Sequence, residues 1–434
     1  GRKSLSSARI QAIFTSNDTP LGECRSKRPN EVFTPRSADV NSVMYVNRPE
    51  HEDALRRGVQ TGYNLVVFGD SGCGKSWLYK KVFKDEDIFY QIVDFSGAEN
   101  VDDVDIQMLE IVSEYEEWTE KERKETSSTD IKPSRIGIGK EHETTFERNE
   151  KSPFIRLLSA IRGFAGKRTS YLVLENLEYI LDRPDIVRKI QMMLLALDDP
   201  NIGQHNVQIC LVGVPSEIKE ILADGNRYQT ISNRVYEVPE LTRIERRSVD
   251  LLVVRGLEQE LEYNFESKTF CCGRIAFVTY QIPQYVHDVC LHVALRAEDQ
   301  LNTVDPDTVD EAVQDWIRSN SRQGIEFIRK WIMADRSAKG VRAKTMFAIS
   351  RLDKHFFEAS DVTDVLRKEF PKTFGDSKIQ TLRTLRTMTA GDDKFLKCDA
   401  ERQLFRVSTP HLRSALRVCL KKKIRDEGVE VRKF

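Results

Sequence analysis

Hydrophobic and polar positions divide this chain into four stretches of different period. Between residues 46 and 240, short apolar runs alternate with amphipathic helical patterns. The runs are Leu65–Phe68, Ile88–Phe95 (partly alternating), Tyr171–Leu174 and Val207–Val214. Continuous apolar runs of this length suit buried strands, and their alternation with helices predicts an α/β domain with a parallel sheet and helices on both faces. One polar stretch, roughly residues 113–153, interrupts the pattern. It is poor in core-forming residues and reads as a charged helix end followed by a flexible insertion, either a partner contact or a spacer without function. Residues 241–335 show no strand pattern. Their helical segments, Ile244–Leu261, Pro283–Ala297 and Thr308–Ser319, predict a helical lid, the last opened by the capping sequence Pro306-Asp307-Thr308. Residues 1–44 are polar, with Pro20, Pro29 and Pro35 spaced through them. They predict an extended arm with one apolar patch, Val32-Phe33, able to dock on the body.

The fourth stretch, residues 336–434, breaks into short elements. Helices are expected over 342–352, 360–370 and 378–388, then a hairpin from 394–398 and 404–407, then a helix over 410–420 that ends in Lys421-Lys422-Lys423. In the third helix Ile379, Leu382 and Leu385 form the apolar stripe, and Lys378, Arg383 and Arg386 lie off it.

Chemistry concentrates after the first apolar run. Gly69, Asp70, Ser71, Gly72, Cys73, Gly74, Lys75 and Ser76 spell G-x-x-x-x-G-K-S between a strand and a helix whose apolar positions are Trp77, Leu78, Val82 and Phe83. Glycines let the backbone turn its N–H groups inward on phosphate oxygens, and the following helix adds the positive end of its dipole. Lys75 is placed to reach the β- and γ-phosphates and Ser76 to hold Mg²⁺. The run Tyr171–Leu174 ends in Glu175-Asn176. Ligands of open α/β sheets sit at the carboxyl ends of strands, so Glu175 is the candidate magnesium carboxylate. Asn176 stands where a glutamate base would stand. An amide orients water but accepts no proton, so hydrolysis is expected to be slow unless Glu178 substitutes. Ser216, after the 207–214 run, is a candidate γ-phosphate sensor. Arg234 is a candidate arginine finger for a neighbouring subunit's nucleotide.

Tyr45-Val46-Asn47-Arg48-Pro49-Glu50, the phosphate loop, Leu174-Glu175-Asn176-Leu177-Glu178, Ser232-Asn233-Arg234 and Ile282-Pro283-Gln284-Tyr285-Val286-His287 follow one another in an order that resembles AAA+ ATPases. The likeness is to the initiator (origin-recognition-like) clade and the related STAND-type ATPases, and it spans roughly residues 45–320. It implies an ATP site in which Arg48 packs beside the adenine and Pro283 of the lid touches the nucleotide. Two departures stand out. The acidic pair is Glu175-Asn176, and Gln281, Gln284 and His287 occupy the lid where an arginine is expected. The C-terminal order of elements resembles a winged-helix domain. That resemblance implies Lys378, Arg383 and Arg386 at a major groove, with Lys397 and Arg402 of the hairpin on the DNA backbone.

Composition sharpens the division. Residues 337–434 carry 23 Lys+Arg against 13 Asp+Glu, while the whole chain has a formal charge of −1. A basic tail on an acidic body points to a polyanionic partner. Eight cysteines contain no C-x-x-C pair or zinc-like spacing, the usage of a reducing cytoplasm, or of a nucleus in a eukaryote. No secretory leader is visible, and no apolar run approaches the ~18 residues of a membrane helix. The expectation is an ATP- and Mg²⁺-dependent switch that forms a homo-oligomer and binds duplex DNA. The alternative is a nucleotide-binding scaffold that docks an effector protein through the C-terminal domain.

Overall fold

A computed structural model describes residues 27–127, 152–180, 182–213, 233–334, 340–375, 380–391, 394–399, 401–423 and 427–432. The first 26 residues of the arm, most of the expected insertion, Ser216 and Lys378 lie outside them.

Five parallel strands form the central sheet: β1 Asn64–Phe68, β2 Phe89–Asp94, β3 Ser170–Glu175, β4 Val207–Gly213 and β5 Val235–Glu237, in the spatial order β2-β3-β4-β1-β5. Val66 of β1 lies opposite Leu211 of β4 and Glu237 of β5. Strands covered on both faces need apolar residues at every position, which is why β1, β3 and β4 read as unbroken runs. Their residues divide by parity. Val66, Leu172, Leu174, Ile209 and Leu211 pack against helices Val101–Ser127, Pro153–Ala165 and Pro184–Ala196. Leu65, Val67, Tyr171, Val173, Cys210 and Val212 pack against helices Pro49–Thr61 and Lys75–Asp85.

A third core lies outside the sheet. It joins the lid helices Arg246–Val254, Lys268–Val278, Pro283–Glu298 and Pro306–Asn320 to helices Val341–Arg351, Ala359–Glu369, Thr381–Met388 and Pro410–Cys419. The expected division near residue 335 is therefore a change in element order within one continuous apolar core. Phe327 stacks on Phe395 at 6.1 Å across it, and Arg417 donates to the Phe277 carbonyl at 2.7 Å. The hairpin forms from Leu396–Asp399 and Leu404–Val407, and Phe357 pairs with Phe405 at its edge. A second hairpin, Leu420–Lys422 with Val429–Val431, was not anticipated.

The extended-arm expectation is corrected over its described part. Pro29–Val32 make a helical turn, and Val32, Phe33 and Met44 are buried in the third core. Phe33 sits where a Cβ on Gly256 would come within 2.2 Å of its ring, so the glycine makes the seat. The helix expected over 244–261 is also different. It runs as Arg246–Val254 and then widens into a π-helical segment, Arg255–Glu260.

Candidate functional site

The phosphate-loop sequence caps the carboxyl end of β1. Gly69, Gly72 and Gly74 adopt φ of +139°, +79° and +91°, a region closed to most side chains. Gly69 also leaves room for the Leu241 carbonyl, which a Cβ would meet at 2.1 Å. Lys75 opens the following helix, and its Nζ donates to the carbonyls of Gly69 (3.0 Å) and Asp70 (3.1 Å). Burial pulls its pKa down, opposed chiefly by the Glu178 carboxylate. The lid closes on the loop from above, where the Gln284 N–H donates to the Gly72 carbonyl at 3.2 Å.

Loop, lid, core and arm enclose a cavity of about 270 Å³. Its floor is Ser71–Ser76. Asn176 and Glu178 form one wall, Met44–Val46 and Arg48 another, and Pro283 and Gln284 the roof, with Thr34 of the arm across the mouth. Three buried polar atoms on its lining make no hydrogen bond: Thr34 Oγ1, Arg48 Nη2 and Glu178 Oε2. Buried polar atoms are nearly always satisfied, so donors and acceptors left over around one cavity fit a polar ligand. The set suits a nucleotide carrying a magnesium ion: backbone amides and Lys75 for phosphates, Ser76 and a carboxylate for the metal, and apolar Met44, Val46 and Pro283 for a base.

Eight of the eleven residues expected to bind the nucleotide line this cavity: Ser71, Gly72, Cys73, Gly74, Lys75, Ser76, Arg48 and Pro283. Gly69 and Asp70 do not. Gly69 forms a bridge with Leu241, and the Asp70 side chain turns outward toward the C-terminal region. Arg48 donates through Nη1 to the Thr242 carbonyl at 2.9 Å, and burial lowers its pKa. Its segment is fixed by Glu52, whose Oε1 accepts from the Arg48 N–H (2.9 Å) and the Tyr45 hydroxyl (3.0 Å). Sequence reading passed over Glu52, because a single acid inside a helix gives no signal.

Glu175, the expected magnesium carboxylate, ends β3 and does not itself line the cavity; its neighbour is the Tyr79 phenol, whose pKa burial and that carboxylate both raise. Asn176 then takes a left-handed conformation (φ 61°), and the short turn Leu177–Tyr179 swings Glu178 back over the loop. Asn176 Nδ2 donates to Asp94 Oδ1 at 2.7 Å, which leaves its carbonyl oxygen for the cavity side.

His287 also lines the cavity, as a neutral buried imidazole. Its Nδ1 accepts from the Thr34 N–H at 3.2 Å, its ring meets Trp77 edge-on, and burial holds its pKa near about 4. Arg234 is remote from its own loop. It precedes β5 at the opposite end of the sheet, where its carbonyl accepts from the Asn64 N–H, and its guanidinium pairs with Asp198.

Among the candidate DNA contacts, Arg383 and Arg386 are exposed on helix Thr381–Met388, away from buried Leu385 and Met388. Arg402 stands in the hairpin turn, 77% exposed. Lys397 is different. It lies directly opposite Arg406 in register and borders a second cavity of about 500 Å³ between the hairpin and the phosphate loop. Strand alternation places it with Arg406 on the face opposite buried Phe405 and Val407, and its side chain is exposed there. Among the described residues no helix is long and apolar enough to cross a membrane.

Residues 56–222 match the family model described as "AAA domain". No curated protein matches the chain. Solved structures of similar fold include the Walker-type ATPase paby2304 of Pyrococcus abyssi, at 15% identity over 86% of this chain and 96% of that one, with a TM-score of 0.49. The ORC2 protein of Aeropyrum pernix in ADPNP–ADP complexes is similar at 13% identity over 87% and 96%, with a TM-score of 0.49. Cdc6p from Pyrobaculum aerophilum is similar at 13% identity over 90% and 96%, with a TM-score of 0.44.

Proposed function

We propose that this chain, whose residues 56–222 match the AAA model, is an ATP-binding and slowly hydrolysing switch that couples nucleotide state and self-assembly to duplex DNA. The carrying observation is the convergence of unpartnered Thr34, Arg48 and Glu178 atoms on a cavity built jointly by arm, core and lid. A ligand bound there ties three segments together, so its presence favours the closed arrangement.

Residue roles follow from position. The amides of Ser71–Ser76 and the Lys75 ammonium hold the phosphates. Ser76, with Glu178 or the adjacent Glu175, holds magnesium, which supplies charge neutralisation during phosphoryl transfer when bound. Asn176 orients water through its amide oxygen. It cannot take the water's proton, which is why turnover is slow. Arg234, remote from its own cavity, acts on a neighbour's nucleotide in an assembled homo-oligomer, and Ser216 reads the γ-phosphate. The element order from Val341 to Cys419 supports a winged-helix reading of residues 336–434, with Arg383 and Arg386 offered to a groove and Arg402 to the backbone.

Lys75→Ala tests the core of this reading. Calorimetry with MgATP should show heat of binding for the wild type and none for the variant, and steady phosphate release should disappear with it. Binding that depends on Lys75 but is never followed by phosphate release, with DNA or at high protein concentration, supports the scaffold alternative. Equal binding by both proteins overturns the site.

A further inference from the structure

The C-terminal region meets the sheet domain at one acidic rim. Arg406, on the second strand of the hairpin, places Nη1 3.9 Å from Asp70 Oδ1 and 3.8 Å from Glu240 Oε1. Its side chain is 16% exposed, and its guanidinium covers the Phe356 ring at 5.7 Å. His355, ahead of helix Ala359–Glu369, turns Nε2 toward Asp70 Oδ2 at 3.9 Å. That nitrogen is buried and makes no hydrogen bond. Lys397, opposite Arg406, shares the face and the adjoining cavity.

These contacts differ in kind from those on the other side of the same region. Separations of 3.8–3.9 Å lie beyond hydrogen-bond length, so the rim attracts the hairpin by charge without directional bonds. Toward the lid the bond is short: Arg417 donates to the Phe277 carbonyl at 2.7 Å, from a guanidinium that also holds the Leu352 carbonyl at 2.9 Å. A shared apolar core backs it. The seam that opens at least cost is therefore between hairpin and phosphate loop.

Two carboxylates flanking one arginine, with a lysine beside it on the same face, reproduce what a phosphodiester backbone presents to a basic hairpin. We propose that Asp70 and Glu240 act as an internal stand-in for DNA phosphates, holding the Lys397–Arg406 face until the rim lets go. This inference rests on reading the C-terminal region as a duplex-DNA binder. It divides the cations into two classes. Arg383, Arg386, Arg402 and exposed Lys397 are open to DNA in the closed form, while Arg406 becomes available only on release. Asp70 belongs to the loop whose inner side forms the nucleotide cavity. Events on that side and DNA engagement on the other are therefore linked, and the linkage acts equally in both directions.

Asp70→Asn and Glu240→Gln, singly and together, remove the acidic hold and leave every basic residue in place. Hydrogen exchange of residues 404–410 without nucleotide or DNA should be faster in these variants than in the wild type. Affinity for a plain DNA duplex at low salt should rise on the order of tenfold. The slope of log K against log salt should steepen by roughly one unit, for one added phosphate contact. Arg406→Gln should speed exchange in the same segment without steepening the slope, because it frees the hairpin but removes a contact. Exchange and salt slope that match the wild type in the carboxylate variants overturn the proposal. If no form binds DNA at any salt, the DNA reading falls and exchange alone decides whether the rim holds the hairpin.

Discussion

At the scale of single residues, three glycines with positive φ shape the phosphate loop. Eight consecutive residues made the phosphate loop legible, because only glycine tolerates the positive φ that this turn needs. Glu175 reads as the magnesium carboxylate because it ends an apolar run. The left-handed Asn176 that exchanges its place with Glu178 has no sequence signature, since asparagine takes that conformation only in some contexts. His287 shows the opposite case. Standing in the lid where an arginine is expected, it is buried, neutral and hydrogen-bonded to the Thr34 N–H. Burial holds its pKa near about 4, against about 6.5 for an unfolded histidine. Between those values the unfolded chain takes up a proton and the native chain does not, so stability falls as pH drops from 6.5 to 4. A shift of this size corresponds to about 3 kcal/mol at most. Neighbouring Asp288 works against it. Burial raises its pKa to about 6, so its own contribution falls as pH rises through the same window. His287→Gln isolates the first term. In urea unfolding without nucleotide, the variant should lose less stability than the wild type between pH 7 and 4.5. Parallel curves would place a charged imidazole in the native state.

At the scale of elements, strands buried on both faces were legible, and segments that take their order from distant partners were not. The Leu420–Lys422 and Val429–Val431 hairpin hides behind three lysines and a run of mixed charge, which read as solvated surface. The arm hides behind its prolines. Its order comes from elsewhere in the chain. Phe33 fills the seat above Gly256, Trp77 Nε1 donates to the Ser37 carbonyl at 3.3 Å, and Lys80 donates to the Ala38 carbonyl at 2.8 Å. These bonds carry the arm along the mouth of the cavity, so the docked arm is expected to slow the exit of a ligand bound there. Phe33→Ala should cost about 3 kcal/mol in stability, at the lower end for a buried phenylalanine, because part of the seat collapses. Dissociation of a fluorescent ATP analogue, followed by stopped flow, should accelerate by about tenfold if the docked arm supplies ~1.4 kcal/mol to the exit barrier. A stability loss with an unchanged dissociation rate would show that the arm is a structural prop and that exit occurs elsewhere.

At the scale of the molecule, the charge excess of the C-terminal region was legible but its allocation was not. Composition assigns every lysine and arginine there to a polyanion. The structure withdraws several of them. Lys344 is buried and donates to Thr373 Oγ1 at 2.7 Å, Arg413 and Arg417 cap the carbonyl end of helix Val341–Arg351, and Arg406 faces the acidic rim. Cations at a helix carboxyl end meet the negative end of its dipole, and the buried guanidiniums satisfy carbonyls that the helix leaves unpaired. Burial pulls the Arg417 pKa down to about 9 and that of Arg413 to about 10, still cationic near neutral pH. Arg417 also reaches Phe277 in the lid, so this cap fastens two regions that the sequence separates. Their common apolar core implies that they open together, as one cooperative unit distinct from the sheet. Arg417→Met tests this. It keeps the apolar stem, strands the Ser350 carbonyl and breaks the bond to Phe277, while Leu352 keeps Arg413; this should cost about 2 kcal/mol, since a buried acceptor left unpaired costs ~1–3. Native-state hydrogen exchange should then show protection falling in parallel over residues 268–298 and 341–369, with β1, β3 and β4 unaffected. Loss confined to residues 341–431 would mean that lid and C-terminal region unfold separately. In that case a pull on the DNA-facing region would not reach the nucleotide cavity through the lid, and the Asp70 rim would be the route that remains.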